Sequence, residues 1–236
     1  MWLAKEIIKS GFNLSRNQLV CCSGGKDSVL MSYLILEVCE EEGLRQPYFL
    51  LSDPFPIEEN KEFCKYLVKE LGIKKALFMD KFVTEEGRKN FVGRTGDFKK
   101  CCLINKVELL KQVIRKFNID LVFVAVRWDE HPARSSELYF KRMNDPPHIR
   151  CHPILHLTWY GVLNFYLDHP ELLNPLYLKG YTSLGCKPCT SRTINKEFKS
   201  IKEYIDYIKT HKIQERAGRL QDKEQIMERL RKLGYF

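Results

Sequence analysis

No apolar run in these 236 residues approaches the roughly 18–20 that a membrane-crossing helix requires. The opening stretch, MWLAKEIIKSGFNLS, mixes charges into its apolar residues and has no uninterrupted signal-peptide core. Glycine (13) and proline (10) are too sparse for a collagen-like or low-complexity chain, and no internal repeat is present. Acid is the scarcer charge, with 30 Asp and Glu against 39 Lys and Arg, a balance of +9. These absences leave an expectation of a soluble, cytoplasmic, compact protein in which 44% hydrophobic residues supply the core. The surplus base suits polyphosphate substrates, nucleic acid or an acidic partner, although such a surplus is more often a solvated surface.

Cysteine is plentiful by contrast. An odd count of nine, without an export signal, argues against a disulfide framework and for thiol, metal or cluster chemistry. Cys21 and Cys22 are adjacent, as are Cys101 and Cys102; Cys186 and Cys189 form a CxxC; Cys39, Cys64 and Cys151 stand alone.

The apolar residues of the first half fall into short, continuous, β-rich runs at 18–22, 48–52, 76–79 and 121–126, which suits buried parallel strands. Between them, residues 28–42, 57–71 and 105–117 repeat apolar positions every three or four, the pattern of surface helices. Alternation of strand and helix predicts an α/β fold, a doubly wound and mostly parallel sheet, with ligands beyond the carboxyl ends of the strands. The loops after Cys22, Ser52 and Val126 are then the ones to search. Seven prolines punctuate the chain after Arg127, and from Ser200 the pattern turns helical again. The expected organisation is a nucleotide-binding domain over 1–195 and a C-terminal helical extension over 196–236, ending in a basic helix at 223–233.

The first strand runs directly into Ser23, Gly24, Gly25, Lys26, Asp27 and Ser28. Two glycines let the backbone turn tightly against phosphate oxygens, and a following helix N-terminus adds partial positive charge. Lys26 adds a full charge, and Ser23 and Ser28 add hydroxyls. The spacing is not that of the GxxxxGK[ST] loop. It resembles the SGGxDS loop of the ATP pyrophosphatase (PP-loop) superfamily, which implies an adenine nucleotide alpha-hydrolase-like fold, ATP with Mg²⁺ as ligand, and attack at the α-phosphate.

Later segments are similar to the branch of that superfamily containing phosphoadenylyl-sulfate and adenylyl-sulfate reductases and the sulfate adenylyltransferase small subunit. Arg127, Trp128, Asp129, Glu130 and Arg134 follow that branch's R-x-D-E-x-x-x-R segment. The resemblance implies that Arg127 and Arg134 meet phosphate or sulfate oxygens in forked geometry. It leaves Asp129 and Glu130 either to hold those arginines or to ligate magnesium. The segment at 152–159 resembles P-[IL]-x-x-W-T, with Thr158 as the N-cap of a helix. The second strand's loop departs from the branch's D-T-G-x-x-F-P-E, and Ser52 and Asp53 stand there as nucleotide contacts.

The stretch 174–190, NPLYLKGYTSLGCKPCT, resembles the segment in which adenylyl-sulfate reductases pair a CxxC with an upstream CC. That likeness implies a [4Fe–4S] cluster on Cys101, Cys102, Cys186 and Cys189, with zinc as the competing occupant. Adjacent cysteines cannot both ligate without an unusual local backbone. The reductases also use a C-terminal cysteine, whereas none follows Cys189 in this sequence; ERAGRLQD at 215–222 and the final GYF instead resemble the adenylyltransferase subunit.

The leading expectation is therefore an ATP pyrophosphatase of sulfur metabolism. It would adenylylate an oxyanion, most simply sulfate, and release pyrophosphate, with Lys26, Asp27, Arg127 and Arg134 as catalytic residues. Ser23 to Ser28, with Ser52 and Asp53, would bind the nucleotide. The alternatives are ATP-dependent sulfur insertion into DNA or tRNA and reduction of a sulfonucleotide. A partner subunit, a sulfur donor protein or assembly into an oligomer accompanies these readings, and a membrane does not.

Overall fold

The computed structural model describes residues 1–220. Residues 221–236, which include the expected basic helix at 223–233 and the GYF end, lie outside the described residues.

Six strands form one sheet: β1 (Gln18–Cys22), β2 (Tyr48–Leu51), β3 (Ala76–Phe78), β4 (Leu121–Val124), β5 (Phe140–Asn144) and β6 (Pro147–Cys151), in the order β3-β2-β1-β4-β6-β5. All neighbours are parallel except the edge strand β5, which returns antiparallel on β6. The α/β, doubly wound, mostly parallel sheet expected from the alternating pattern is thus observed. Central strands are buried on both faces, so their sequence is continuously apolar while their side chains still alternate. Val20, Phe49, Leu51 and Phe123 enter the larger core; Leu19, Leu50 and Val122 enter the smaller one on the opposite face.

The larger core is closed by α1 (Trp2–Asn13), α2 (Lys26–Glu41), α3 (Glu58–Glu70), α8 (Trp159–Asp168) and α9 (Ile201–Thr210). The other face is closed by α7 (Leu109–Lys116) through Leu109, Val113 and Ile114. Three short helices, α4 (Glu85–Lys89), α5 (Val92–Thr95) and α6 (Phe98–Cys102), precede a π-helical stretch, Leu103–Glu108, which runs into α7. The helix expected over 105–117 therefore begins with a widened turn. Thr158 caps α8 by accepting a hydrogen bond from the Gly161 amide at 3.1 Å. In the expected extension, Ser200 caps α9, whose Ile201, Tyr204, Ile205 and Ile208 belong to the larger core. Among the described residues no helix is long and apolar enough to cross a membrane.

Strand order reverses direction between β1 and β4, which opens a crevice at their carboxyl ends. The loops after β1, β2 and β4 all meet there.

Candidate functional site

The loop after β1 is shaped from behind by side chains distant in sequence. Gly24 has a φ of +79°, and a Cβ on it would run into Asn60 Oδ1 and come within 2.8 Å of Cys64 Sγ. Only glycine meets both conditions. Asn60 Nδ2 donates to the Ser23 carbonyl at 2.9 Å, and Asn174 Nδ2 donates to the Gly24 carbonyl at 3.1 Å and to Asn60 Oδ1 at 2.7 Å. The Lys26 amide donates to Tyr177 Oη at 3.0 Å, and Tyr166 Oη donates to the Lys26 carbonyl. Gly25, the N-cap of α2, has no side chain to cap the helix, and Tyr177 takes only the amide of its first residue. Tying back the loop's carbonyls at a helix N-terminus whose N-cap offers no side-chain oxygen is an arrangement that favours an anion.

Lys26 is 2% exposed, and its ammonium belongs to a closed ring of four charges. It donates to Asp27 Oδ2 at 2.7 Å and to Glu215 Oε1; Arg127 donates to Asp27 Oδ1 and, at 2.5 Å, to Glu215 Oε2. Burial alone would discharge these groups. It pulls Lys26 and Arg127 down, but Asp27 and Glu215 outweigh it, and both cations end above their usual ranges. Burial likewise pushes Asp27 up, and Arg127 with Lys26 brings it below the usual carboxylate range. Glu215 differs: burial leaves it raised despite its two cations. Beside the ring, Glu130 accepts from Arg134 and, at 2.5 Å, from Arg216. Those arginines overcome its burial and hold it far below the usual range. Asp129 accepts from Arg127 Nε at 2.9 Å and from the Trp159 amide at 2.7 Å. The two carboxylates considered as magnesium ligands are thus both engaged by arginines.

In front of the loop lies a cleft of about 210 Å³ that takes in Ser23, Gly25, Lys26, Asp27 and Ser28. Its cationic wall consists of Lys106, Arg134, Arg150, Arg216 and Arg219. Arg219 is packed against Gly185, where a Cβ would collide with its guanidinium, and it donates to Thr190 Oγ1 at 3.1 Å. Ser52 and Asp53 also face the cleft. Ser52 has a φ of +71°, and its buried hydroxyl has no hydrogen-bond partner among the described residues. Asp53 accepts from Lys106 at 2.6 Å. Cys21 and Cys22 line the cleft as well; burial pushes both thiols up, Cys21 to about 12.

Cys101, Cys102, Cys186 and Cys189 are all buried and line one small cavity. The CC pair ends α6, and the π-helical stretch begins at the next residue, the kind of local departure that adjacent ligands demand. Asn105 Nδ2 donates to Cys101 Sγ at 3.7 Å, and Cys186 Sγ donates to Asp53 Oδ1 at 3.6 Å. Burial raises the Cys101 thiol. Among the described residues no three His, Cys, Asp or Glu side chains converge in a metal-holding group. The four thiols line one cavity without being gathered into such a group; thiolate as a donor type is that of iron–sulfur clusters and of zinc. Lys106 lines both this cavity and the cleft.

The structure thus gathers Ser23 to Ser28, Ser52, Asp53, Arg127, Asp129, Glu130 and Arg134 at one crevice, and the four cysteines at its side. Sequence reasoning gave no role to Asn60, Lys106, Arg150, Asn174, Tyr177, Glu215, Arg216 or Arg219. Asn174, Tyr177, Glu215, Arg216 and Arg219 sit inside noticed motifs, which was the available signal. Asn60, on an otherwise ordinary surface helix, carried none.

A model of the phosphoadenosine phosphosulfate reductase domain matches residues 17–192. The adenosine 5′-phosphosulfate reductase of Geobacillus thermodenitrificans is 30% identical over 99 residues, 42% of this chain and 41% of that protein. The match therefore spans about two fifths of that relative's length. The enzyme of the same description from Lysinibacillus sphaericus is 25% identical over 193 residues, 79% of each chain. Among solved structures, phosphoadenylyl-sulfate reductase from Candida auris, a phosphate complex, superposes with a TM-score of 0.63 at 12% identity, covering 80% of this chain and 90% of that one. Candida glabrata FMN adenylyltransferase, in complex with FMN and an ATP analogue, gives 0.66 at 17% identity, covering 92% and 86%. At such identities the structural likeness is one of fold.

Proposed function

The chain belongs to the phosphoadenosine phosphosulfate reductase domain family, and from that premise we propose that its cleft binds a sulfonucleotide, adenosine 5′-phosphosulfate in the first place, for reductive cleavage. This places the reductase ahead of the ATP pyrophosphatase expected from the sequence, because the curated relatives are reductases. The observation that carries the reading is the cleft's shared wall: one side is the phosphate loop, and the other, through Lys106 and Asp53, borders the four-cysteine cavity.

In this reading the amides at the start of α2 beyond that of Lys26, with the hydroxyls of Ser23 and Ser28, hold the nucleotide's phosphate. Arg134, Arg216 and Arg219 offer forked donors to sulfate oxygens. A thiolate attacks the sulfate sulfur, an S–S bond forms, and the bond from sulfur to the bridging oxygen breaks, its electron pair leaving with AMP. A second thiol then releases sulfite and leaves a disulfide. Charge accumulates on the departing phosphate, where fixed cations and amides are most effective. Cys21 and Cys22 are held protonated by burial, so the attacking thiolate comes from a dithiol reductant. Cys101, Cys102, Cys186 and Cys189 would hold the cluster, which when bound supplies a fixed electrostatic centre beside Lys106.

Sulfite release from adenosine 5′-phosphosulfate with a dithiol and no ATP is the expected result; its absence under anaerobic conditions overturns the reading. An anaerobic preparation should carry about four irons per chain and absorb near ~400 nm. Zinc at about one per chain would replace the cluster in this account.

A second reading, adenylyl transfer from ATP with Mg²⁺ to an oxyanion such as sulfate, is favoured by one observation. The loop from Ser23 to Ser28, with two hydroxyls and a helix N-terminus, offers more anion ligands than a single phosphate uses. Oxyanion-dependent pyrophosphate release, without sulfite formation, would put this reading first.

A further inference from the structure

Glu215 is the member of the charge ring that comes from furthest along the chain. Lys26 and Asp27 open α2, Arg127 follows β4, and Glu215 lies just past α9. Lys26 and Asp27 line the cleft and Glu215 does not, so Lys26 stands between the cleft and a buried carboxylate. Two cations and two anions make the ring neutral.

An anion bound at the phosphate loop draws on the charge of Lys26 and repels Glu215. Charges this deeply buried are poorly screened by solvent ions. The groups that face Glu215 are Lys26 and Asp27 from α2, Arg127 and Glu130 from the loop after β4, and the hydroxyls of Tyr177 and Tyr204. Of the three carboxylates, Asp27 and Glu130 are held below the usual range, whereas burial leaves Glu215 above it. Glu215 is the group that most readily gives up its charge.

We propose that Glu215 is a positioning residue: it holds Lys26 and Arg127 in a neutral ring before ligand enters, and becomes partly protonated from solvent as a phosphate-bearing nucleotide binds. The inference rests on the reading that the cleft binds such a nucleotide. A competing consequence of neutralising Glu215 would be release of the segment carrying Arg216 and Arg219. That segment has other holds: Arg216 on Glu130 at 2.5 Å, Arg219 on Thr190 at 3.1 Å, and the Ser191 amide on the Gly218 carbonyl at 2.9 Å. The electrostatic effect therefore sets the sign, and a neutral Glu215 strengthens anion binding.

Isothermal titration with ATP and with inorganic pyrophosphate, at about pH 6 in two buffers of unlike ionisation heat, tests this. Protons exchanged by the ligand itself persist in Glu215→Gln, so the difference between wild type and variant reads Glu215. Wild type should take up more protons than Glu215→Gln, and its affinity should rise relative to the variant's as pH falls. Glu215→Gln should bind roughly tenfold tighter at neutral pH, the linkage equivalent of a one-unit rise in the pKa of Glu215 on binding. Glu215→Asp keeps the charge and should keep the uptake. Equal proton counts in wild type and Glu215→Gln, or weaker or unchanged binding by Glu215→Gln, overturn the inference. If Glu215→Gln fails to fold by circular dichroism, wild type and Glu215→Asp are titrated with inorganic sulfate, which exchanges no proton of its own at the same pH, and no uptake in either overturns it. Proton-linked binding without sulfite release removes the reductase reading and leaves this one standing; no binding of ATP or pyrophosphate at all removes the inference and the adenylyl-transfer reading, and leaves the reductase reading to the sulfite assay.

Discussion

Gly24 shows how much of the site rests on single residues. Its positive φ and the closeness of Asn60 and Cys64 leave no room for a side chain. Gly24→Ala should destabilise the fold by about 2–4 kcal/mol and abolish nucleotide binding. Denaturant unfolding and calorimetry would check this, and wild-type affinity in the variant would refute the loop's assigned role. His152 is a residue of the opposite kind: it is fully buried, donates from Nδ1 to the Leu138 carbonyl at 2.8 Å, and leaves Nε2 without a hydrogen-bond partner among the described residues. Burial lowers its pKa from 6.5 to about 4. The unfolded chain then binds a proton that the folded chain refuses, so stability is full above about pH 6.5 and falls as pH drops toward 4. Between about pH 7.5 and 5 this residue should cost about 2 kcal/mol, and His152→Gln should flatten that limb in unfolding experiments. An acid limb of unchanged slope in the variant would remove His152 as its cause. The loop from Ser23 to Ser28 was readable because its six residues are contiguous. The partner of Lys26 was not, because Glu215 lies 189 positions away.

At the scale of elements, the C-terminal segment and the CxxC loop form one unit. Thr190 pairs with Arg219 in an antiparallel bridge, the Ser191 amide bonds the Gly218 carbonyl, and Gly185 makes room for the Arg219 guanidinium. Gly185→Ala and Arg219→Ala should each weaken nucleotide binding by roughly tenfold, and the double variant should be little worse than either, because both remove one placement. Additive losses in a titration series would separate the two residues. Helix α8 was readable down to its Thr158 cap, since a capping residue before an apolar run is a local signal. Strands β5 and β6 were not, because FKRMN and PHIRC carry too much polar character; β5 is the sheet's edge and β6 the strand next to it, where the apolar pattern weakens. The π-helical stretch was also hidden: its residues repeat as an ordinary helix would, and only the demands of the CC pair hinted at a distortion.

For the whole molecule, a ligand that binds only the folded state raises its stability by mass action. At about 100 times its dissociation constant, a sulfonucleotide or ATP should add ~2.7 kcal/mol, which for a chain of this size is a melting shift of roughly 5–10 °C. If neither nucleotide shifts the melting curve, the crevice between β1 and β4 is not their site.

The amino-acid sequence alone determined the alternating α/β order, the glycine-rich loop after β1, and the presence of a CC and a CxxC, since each is written in neighbouring residues or in a short period. Tertiary structure alone decided which charges meet. Asn60 and Asn174 brace the loop, Glu215 closes the ring around Lys26 and Arg127, and Lys106 stands between cleft and cysteines. Those contacts join positions scores of residues apart, and the energy of a buried charge depends on what the fold places around it rather than on what lies beside it in the chain.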